Sequence, residues 1–230
     1  MTLPRHPSIL IVGAGPVGLC TGVALLREGH SVSILDSGVP AAGWASGGML
    51  APLYEIASDP AYSDAYVQFA LKNAEAWQEL ARTCAFDLQA PSLFLARTQE
   101  EVDALLGLKR RADALGLEIE SVSVPAGLSA EAAFRAKSER ALDPRAALKS
   151  LRHQFQALGG ELLVGKAETI APYRIGLLDG RTLEAETIIL AHGYGAASLG
   201  QSVPALRALS PVKGQMMRVA HKELASPVVR

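Results

Sequence analysis

The chain contains little cysteine and no long apolar run, and each of these shortages excludes a class of protein. Its 230 residues include two cysteines, Cys20 and Cys84, which lack the paired spacing of a zinc or iron–sulfur site. The sequence also has no stretch of about eighteen consecutive apolar residues, which a membrane-spanning helix requires. We therefore expect no metal centre and no membrane span, and we expect Cys20 to be a small buried residue of a helix.

The sequence also has almost no excess of either positive or negative charge. Lysine and arginine number 22 against 23 acidic residues, which leaves a net charge of −1. This balance predicts no nucleic-acid partner. Hydrophobic residues make up 49% of the chain, which is typical of a globular protein. The N-terminus shows no charged-then-apolar leader, and the sequence analysis therefore predicts a cytoplasmic location.

A glycine-rich turn follows the first apolar run and is the most informative motif. Residues 8–12 are apolar and β-branched, as in a strand buried on both faces. The next six residues are Gly-Ala-Gly-Pro-Val-Gly. Gly13 permits a tight turn, Gly15 lets the backbone approach a pyrophosphate, and Gly18 lets the following helix pack against the strand. The first-turn amides of that helix would face the phosphates.

The residues after this turn complete a dinucleotide-binding βαβ pattern. The helix is predicted from Pro16 to Arg27, and a second strand over 31–35 leads to Asp36. A carboxylate about twenty residues past the glycines can accept hydrogen bonds from a ribose diol. The same charge would repel a 2′-phosphate, which argues against NADP. The alternative is a glycine-rich turn of another α/β protein with a coincidental acidic residue.

A loop of small residues replaces the third βα unit of a nicotinamide dehydrogenase. It runs over 37–52 and includes Trp44 and Met49, and its backbone could lie flat against a planar ligand. Helices are predicted over 64–82, 100–115 and 144–158, and strands over 93–96, 117–124, 161–164, 174–178, 181–185 and 187–191. In the helix over 64–82, the predicted apolar stripe is Tyr66, Ala70, Ala74, Trp77 and Ala81.

Taken together, these motifs resemble the D-amino-acid oxidase and glycine oxidase family of FAD-dependent oxidoreductases. The resemblance rests on the segment 13–18, on Asp36, and on the segments 44–52, 142–144, 191–193 and 211–215, in that order along the chain. It implies FAD as cofactor. Two positions depart from the family pattern: His192 replaces a small residue, and Gly195 stands where tryptophan is frequent. We interpret His192 as a packing or exposed residue rather than a catalytic base.

The resemblance also implies residue roles. Gly13, Gly15 and Gly18 would hold the FAD pyrophosphate, and Asp36 the adenosine ribose. The backbone at Ala167 would meet the adenine. The full set of implied cofactor-binding residues is Gly13, Ala14, Gly15, Pro16, Val17, Gly18, Asp36, Ser37, Ala45, Ser46, Gly48, Met49, Ala167, Ala191 and Gly193. No catalytic residue is identified by motif.

The implied fold class is α/β, a Rossmann-like FAD-binding domain interleaved with an α+β substrate domain that has an antiparallel sheet. The FAD-binding domain is expected over 1–82 and 141–204, and the substrate domain over 83–140 and from 205 to 230. Family members are longer, so the substrate domain is expected to be incomplete, without its C-terminal part.

The implied activity is oxidation of the amine of a small amino acid or secondary amine, with hydride transfer to flavin N5, imine hydrolysis and H2O2 formation. For glycine oxidase relatives the imine serves thiamine biosynthesis. The alternatives are a D-amino-acid dehydrogenase with a quinone acceptor, the FAD module of a tRNA-modifying oxidase, a nicotinamide-only dehydrogenase, and a catalytically inert FAD-binding module. The oligomeric state is open, with a homo-oligomer among the alternatives.

Overall fold

The computed structural model describes residues 8–40, 42–53 and 64–217, together with the backbone of 228–229. The ends of the predicted domain segments, at 1–7 and 218–227, lie outside these residues. In chain order the elements are β1 (Ile9–Val12), α1 (Pro16–Arg27), β2 (Val32–Asp36), a 3₁₀ helix (Ala42–Ala45), β3 (Met49–Leu50), α2 (Asp64–Cys84), β4 (Ser92–Ala96), α3 (Gln99–Ala114), β5 (Ile119–Val122), β6 (Ala132–Ala136), β7 (Arg140–Ala141), α4 (Pro144–Ala157), β8 (Glu161–Val164), β9 (Ala167–Ala171), β10 (Arg174–Leu177), β11 (Thr182–Glu184), β12 (Thr187–Leu190), 3₁₀ helices at Gly193–Leu199 and Pro204–Ala208, and β13 (Val228–Val229).

Contacts divide the chain into two compact units. Unit 1 comprises Met1–Ser46 and Pro144–Met217, and unit 2 comprises Gly47–Asp143 and Arg218–Arg230. The first domain boundary predicted from the sequence lies between residues 82 and 83, whereas the structure groups α2 with the segment that follows it. The reason is that Val67 of α2 is fully buried in the same apolar cluster as Phe94 and Phe134. The identification of unit 1 as the cofactor domain and unit 2 as the substrate domain stays a prediction.

Unit 1 is built on a parallel sheet with strand order β12-β1-β2-β8. Ile9 pairs with Val32 on one side and with Thr187 on the other. Both faces of β1 are covered, which explains its uninterrupted apolar sequence. Leu10 and Val12 pack against the antiparallel sheet β11-β10-β9. On the opposite face α1 packs beside α4. The predicted α/β class and the predicted bounds of α1 are confirmed.

Unit 2 contains the antiparallel strands β4, β6 and β5, which lie side by side. Its core comprises Leu53, Val67, Phe94, Leu108, Ala112, Ile119, Phe134 and Ala136. None of the helices in the described ranges combines the length and apolarity needed to cross a bilayer. Within the same ranges, no group of three histidine, cysteine or acidic side chains lies close enough to hold a metal ion.

Some sequence-based details are wrong. The predicted stripe of α2 is misplaced at its start, since Tyr66 is 40% exposed and Val67 faces the core. Cys20 is half-buried rather than buried. The strands β6 and β9 were not predicted. The alternation of apolar residues in each was too weak to reveal a strand. β6 pairs with β4, which is distant along the chain, whereas β9 pairs with the next strand, β10.

Candidate functional site

The turn between β1 and α1 has a different geometry at each of its three glycines. Gly13 has a φ of 108°, and a Cβ there would lie 2.6 Å from the Cα of His192. A Cβ on Gly18 would overlap the carbonyl oxygen of Gly13 and lie 3.1 Å from its carbonyl carbon. By contrast, a Cβ on Gly15 would meet nothing within 4 Å. Gly13 and Gly18 are therefore required by the fold, whereas Gly15 leaves free space above the turn.

That free space lies at the start of α1, where anions are favoured. Gly15 is the N-cap residue and has no side chain to cap the helix, and Pro16 opens its first turn. The first turn also carries no acidic side chain. The partial positive charge of the helix N-terminus is thus not offset locally, and the turn can accept a phosphate.

Asp36 ends β2 and closes the same edge of the sheet. Its Oδ2 accepts the amide N–H of Ala14 at 2.8 Å, and its Oδ1 accepts that of Gly38 at 2.8 Å. These two bonds fix the carboxylate beside the turn. A carboxylate has about four lone-pair positions, so each oxygen keeps capacity for one further donor. A ribose diol supplies two such donors.

Two cavities, each of about 280 Å³, meet at Asp36. The turn-side cavity is lined by Ala14, Gly15, Leu19, Asp36, Gly38, Val39, Pro40, Gly43, Trp44, Leu148, Lys149 and Arg152. The hairpin-side cavity is lined by Val12, Gly13, Leu35, Asp36, Ser37, Val39, Pro40, Gly165, Lys166, Ala167, His192, Gly195 and Ser198. Six of the predicted site residues line these two adjoining cavities of unit 1: Gly13, Ala14, Gly15, Asp36, Ser37 and Ala167.

Pro16, Val17, Ala45 and Ser46, which are also predicted residues of unit 1, line neither cavity. Pro16 supports the 3₁₀ helix, since a Cβ on Gly43 would lie 2.6 Å from its Cδ. Val17 is 66% exposed on the first turn of α1. The hydroxyl of Ser46 donates to the carbonyl of Gly43 at 3.0 Å, just past Ala45.

The last predicted residues lie on other elements. Ala191 follows β12 and donates its amide to the carbonyl of Val12 at 2.8 Å, and Gly193 has a φ of 57° in the next turn. Gly48 and Met49 belong to unit 2, where Met49 pairs with Ala141.

Several cavity residues were not predicted from the sequence. Lys149 and Arg152 come from α4, and Trp44 comes from the 3₁₀ helix. The spacing of Lys149 and Arg152 places them on one helix face, but their proximity to the turn depends on the packing of α4 beside α1. Lys166 and Ser198 reach the hairpin-side cavity from loops. No sequence pattern indicated either of them.

His192 stands behind the turn with both ring nitrogens buried. Neither nitrogen has a hydrogen-bond partner among the described residues. Burial lowers the pKa of His192 below its ordinary value of 6.5, and the nearby backbone of Val12 opposes this shift. The imidazole is therefore held neutral, and the burial of both of its nitrogens is in keeping with a packing role.

His192 should make unfolding pH-dependent. Because its folded pKa is lowered, the unfolded state binds more protons between the two pKa values. Its contribution to stability is complete above about pH 6.5 and is lost as the pH falls to the folded pKa. We expect the urea concentration at the unfolding midpoint to change less between pH 7 and pH 5 in His192→Leu than in the native chain. An equally steep pH dependence in the variant would contradict this assignment.

Asp36→Asn tests the carboxylate. An amide side chain has one acceptor oxygen, so one of the two backbone amides loses its partner, which costs about 1–2 kcal/mol of stability. Binding of an adenine dinucleotide should weaken about tenfold or more as one ribose hydrogen bond is lost. Urea unfolding and calorimetric titration with ADP measure the two effects. Affinity for ADP equal to that of the native chain would remove Asp36 from the site.

The protein-family model described as FAD dependent oxidoreductase (DAO) matches residues 8–229. No curated protein sequence matches the chain.

Solved structures share the fold. The chain is similar to glycine oxidase from Geobacillus kaustophilus (TM-score 0.73, 22% identity, 86% of this chain and 58% of that one). It is also similar to iminodiacetate oxidase from Chelativorans sp. BNC1 (TM-score 0.70, 21% identity, 88% and 58%). A third similar structure is L-amino acid deaminase from Proteus vulgaris (TM-score 0.69, 16% identity, 89% and 51%). The chain thus spans between half and three fifths of their length.

Proposed function

Because the chain belongs to the family of FAD-dependent oxidoreductases, we propose that unit 1 binds FAD along the turn between β1 and α1. The observation that carries this proposal is the contrast between the three glycines. Gly13 and Gly18 have no room for a Cβ, whereas the space above Gly15 is open and joins a cavity that also contains Asp36. This is the arrangement that a pyrophosphate and its ribose need.

The residues present fit each part of the adenosine diphosphate moiety. The phosphates would lie over Gly15 at the start of α1, and the ribose hydroxyls would donate to Asp36. The adenine would enter the hairpin-side cavity, where Ala167 begins β9. The further contacts that we propose are Gly13, Ala14, Pro16, Val17, Gly18, Ser37, Ala45, Ser46, Gly48, Met49, Ala191 and Gly193.

We further propose that the activity is oxidation of the amine of a small amino acid or secondary amine. The similar structures are named for glycine, for iminodiacetate and for L-amino acids, all of which carry nitrogen on a carbon next to a carboxylate. When bound, FAD would supply the two-electron oxidation of such an amine to an imine, with oxygen as the final electron acceptor and hydrogen peroxide as its product. The imine left behind would be hydrolysed by water to an oxo acid and ammonia, or to an oxo acid and a primary amine where the substrate is a secondary amine.

In this proposal the described residues bind and position the cofactor and take no part in proton transfer. The turn and Asp36 fix the adenosine end of the cofactor through hydrogen bonds from rigid elements. The neutral His192 fills the space behind Gly13. No described residue is assigned to proton transfer or to the substrate carboxylate. A link to thiamine biosynthesis and a cytoplasmic location stay predictions.

The first experiment is reconstitution of the full chain with FAD. The purified chain is expected to show flavin absorbance, or to acquire it after FAD is added and excess is removed by gel filtration. Adenosine diphosphate should compete with FAD, whereas riboflavin, which lacks the adenosine diphosphate moiety, should bind far more weakly. A chain that takes up neither FAD nor ADP would overturn the proposed function.

The second experiment identifies the electron acceptor. The FAD-loaded chain is mixed with glycine, iminodiacetate or D- and L-amino acids, and bleaching of flavin absorbance is followed without oxygen. Readmission of oxygen should restore the absorbance and release peroxide. Restoration by a quinone dye alone would favour the dehydrogenase alternative. FAD binding without bleaching by any of these amines would favour the inert binding module.

A further inference from the structure

We propose that Lys149 and Arg152 of α4 form a cationic wall that binds the 5′-phosphates of the adenine dinucleotide. The inference rests on the proposed cofactor binding and adds two residues to it. Both residues line the turn-side cavity, which Ala14 and Gly15 line as well. The phosphates would therefore be held between the backbone of the turn and two cations from a different helix.

The charges in this cavity are not paired among themselves. Arg152 is half-buried, yet it makes no hydrogen bond or ion pair within the described residues. Asp36 is the acidic residue of the cavity, and both of its oxygens already accept backbone amides. Neither Lys149 nor Arg152 has an acidic side chain as ion-pair partner among the described residues, so an anionic ligand in this cavity would gain charge-assisted hydrogen bonds from both.

Trp44 holds the second cation in place. The Nζ atom of Lys149 lies 5.7 Å from the centre of the Trp44 ring, and the guanidinium carbon of Arg145 lies 5.3 Å from it. The Nε of Arg145 also donates to the carbonyl of Trp44 at 3.4 Å. The ring attracts cations but forms no ion pair, so Lys149 keeps its charge available for the cavity.

The position of the cations distinguishes the 5′-phosphates from a 2′-phosphate. A 2′-phosphate would lie next to the ribose diol and so against the carboxylate of Asp36, where like charges repel. The 5′-phosphates instead lie toward Gly15 and the start of α1. The helix N-terminus and the two cations then act on the same anion from two sides.

Charge removal in the full chain tests the proposal. In the variants Lys149→Met and Arg152→Met, affinity for ADP is expected to fall about fivefold and about tenfold at low salt, and further in the double variant. Affinity for adenosine, which has no phosphate, should stay within about twofold. The salt dependence of ADP binding should also become shallower in the double variant. Arg152→Lys should restore part of the affinity.

The readout and control are both available in the chain. Trp44 borders the cavity and Trp77 lies in unit 2, so Trp77→Phe leaves Trp44 as the fluorescent reporter of binding. Arg110→Met removes an exposed charge from α3 in unit 2 and should leave ADP affinity unchanged. Urea unfolding of each variant verifies that it is folded.

Four outcomes would overturn the inference. Unchanged ADP affinity in the double variant would remove the two cations from the site. Equal weakening of ADP and adenosine would show a merely structural role. A loss confined to adenosine 2′,5′-bisphosphate would place the cations at the 2′ position. If the native chain binds neither ADP nor FAD, the proposed function fails as well, which separates that failure from the other three.

Discussion

Gly18→Ala is expected to destabilise the chain by about 3 kcal/mol and to abolish FAD binding. The added methyl would overlap the carbonyl oxygen of Gly13 and would lie 3.4 Å from the Cγ2 of Ile11. The carbonyl oxygen of Gly13 belongs to the backbone and cannot move aside as a side chain would, so α1 must separate from β1 and the turn must open. Urea unfolding at equilibrium measures the first effect, and calorimetric titration with FAD measures the second.

Two glycine variants serve as controls for this result. Gly107→Ala lies in α3, where the new Cβ would meet only the flexible end of Arg110, at 3.7 Å. Alanine is the better helix former, so this variant should be stabilised by about 0.5–1 kcal/mol. Gly15→Ala should leave stability within about 0.5 kcal/mol, because its Cβ meets nothing. Its methyl would nevertheless occupy the proposed phosphate position and weaken FAD binding.

The pattern across the three variants is decisive. Loss of stability only at Gly18, together with loss of FAD affinity at Gly18 and Gly15 but not at Gly107, is the expected result. If Gly15→Ala binds FAD as tightly as the native chain, the phosphates do not approach the turn there. If Gly18→Ala unfolds at the same urea concentration as the native chain, the close approach of α1 to β1 is not as described.

Phe155→Ala has the second large expected effect, a destabilisation of about 3–5 kcal/mol. Phe155 is fully buried between α4 and α1. A Cβ on Gly22 would lie 2.8 Å from its ring, and one on Gly160 would overlap the ring. The truncation leaves a cavity that two glycines cannot fill. Because α4 carries Lys149 and Arg152, looser packing of α4 should also reduce ADP affinity.

Leu158→Ala is the matched control for this variant. The helical pattern of the sequence places Leu158 on the same face as Phe155, but Leu158 is 36% exposed just past the end of α4. We expect it to lose less than about 1 kcal/mol. Urea unfolding of both variants measures the difference. Equal losses for Phe155→Ala and Leu158→Ala would show that the face of α4 is assigned incorrectly.

Local sequence patterns predicted the first crossover, the unit formed by β1, α1 and β2, well. The bounds of α1 and the place of Asp36 at the end of β2 were predicted, since a buried apolar run, a glycine turn and a helix N-terminus are all encoded within a few neighbouring residues. The same patterns placed the buried stripe of α2 incorrectly at Tyr66, because neighbouring apolar residues on a helix differ only in which one faces the core. Only packing distinguishes Tyr66 from Val67.

The sequence by itself determined the family, the fold class and the residues of the first crossover, because their determinants are contiguous and their spacing is set by backbone geometry. Only the tertiary structure decided that Lys149, Arg152 and His192 stand around that crossover. Lys149 and Arg152 reach it because α4 packs beside α1, and His192 because β12 pairs with β1. Such approaches join residues far apart along the chain, and no local spacing records them.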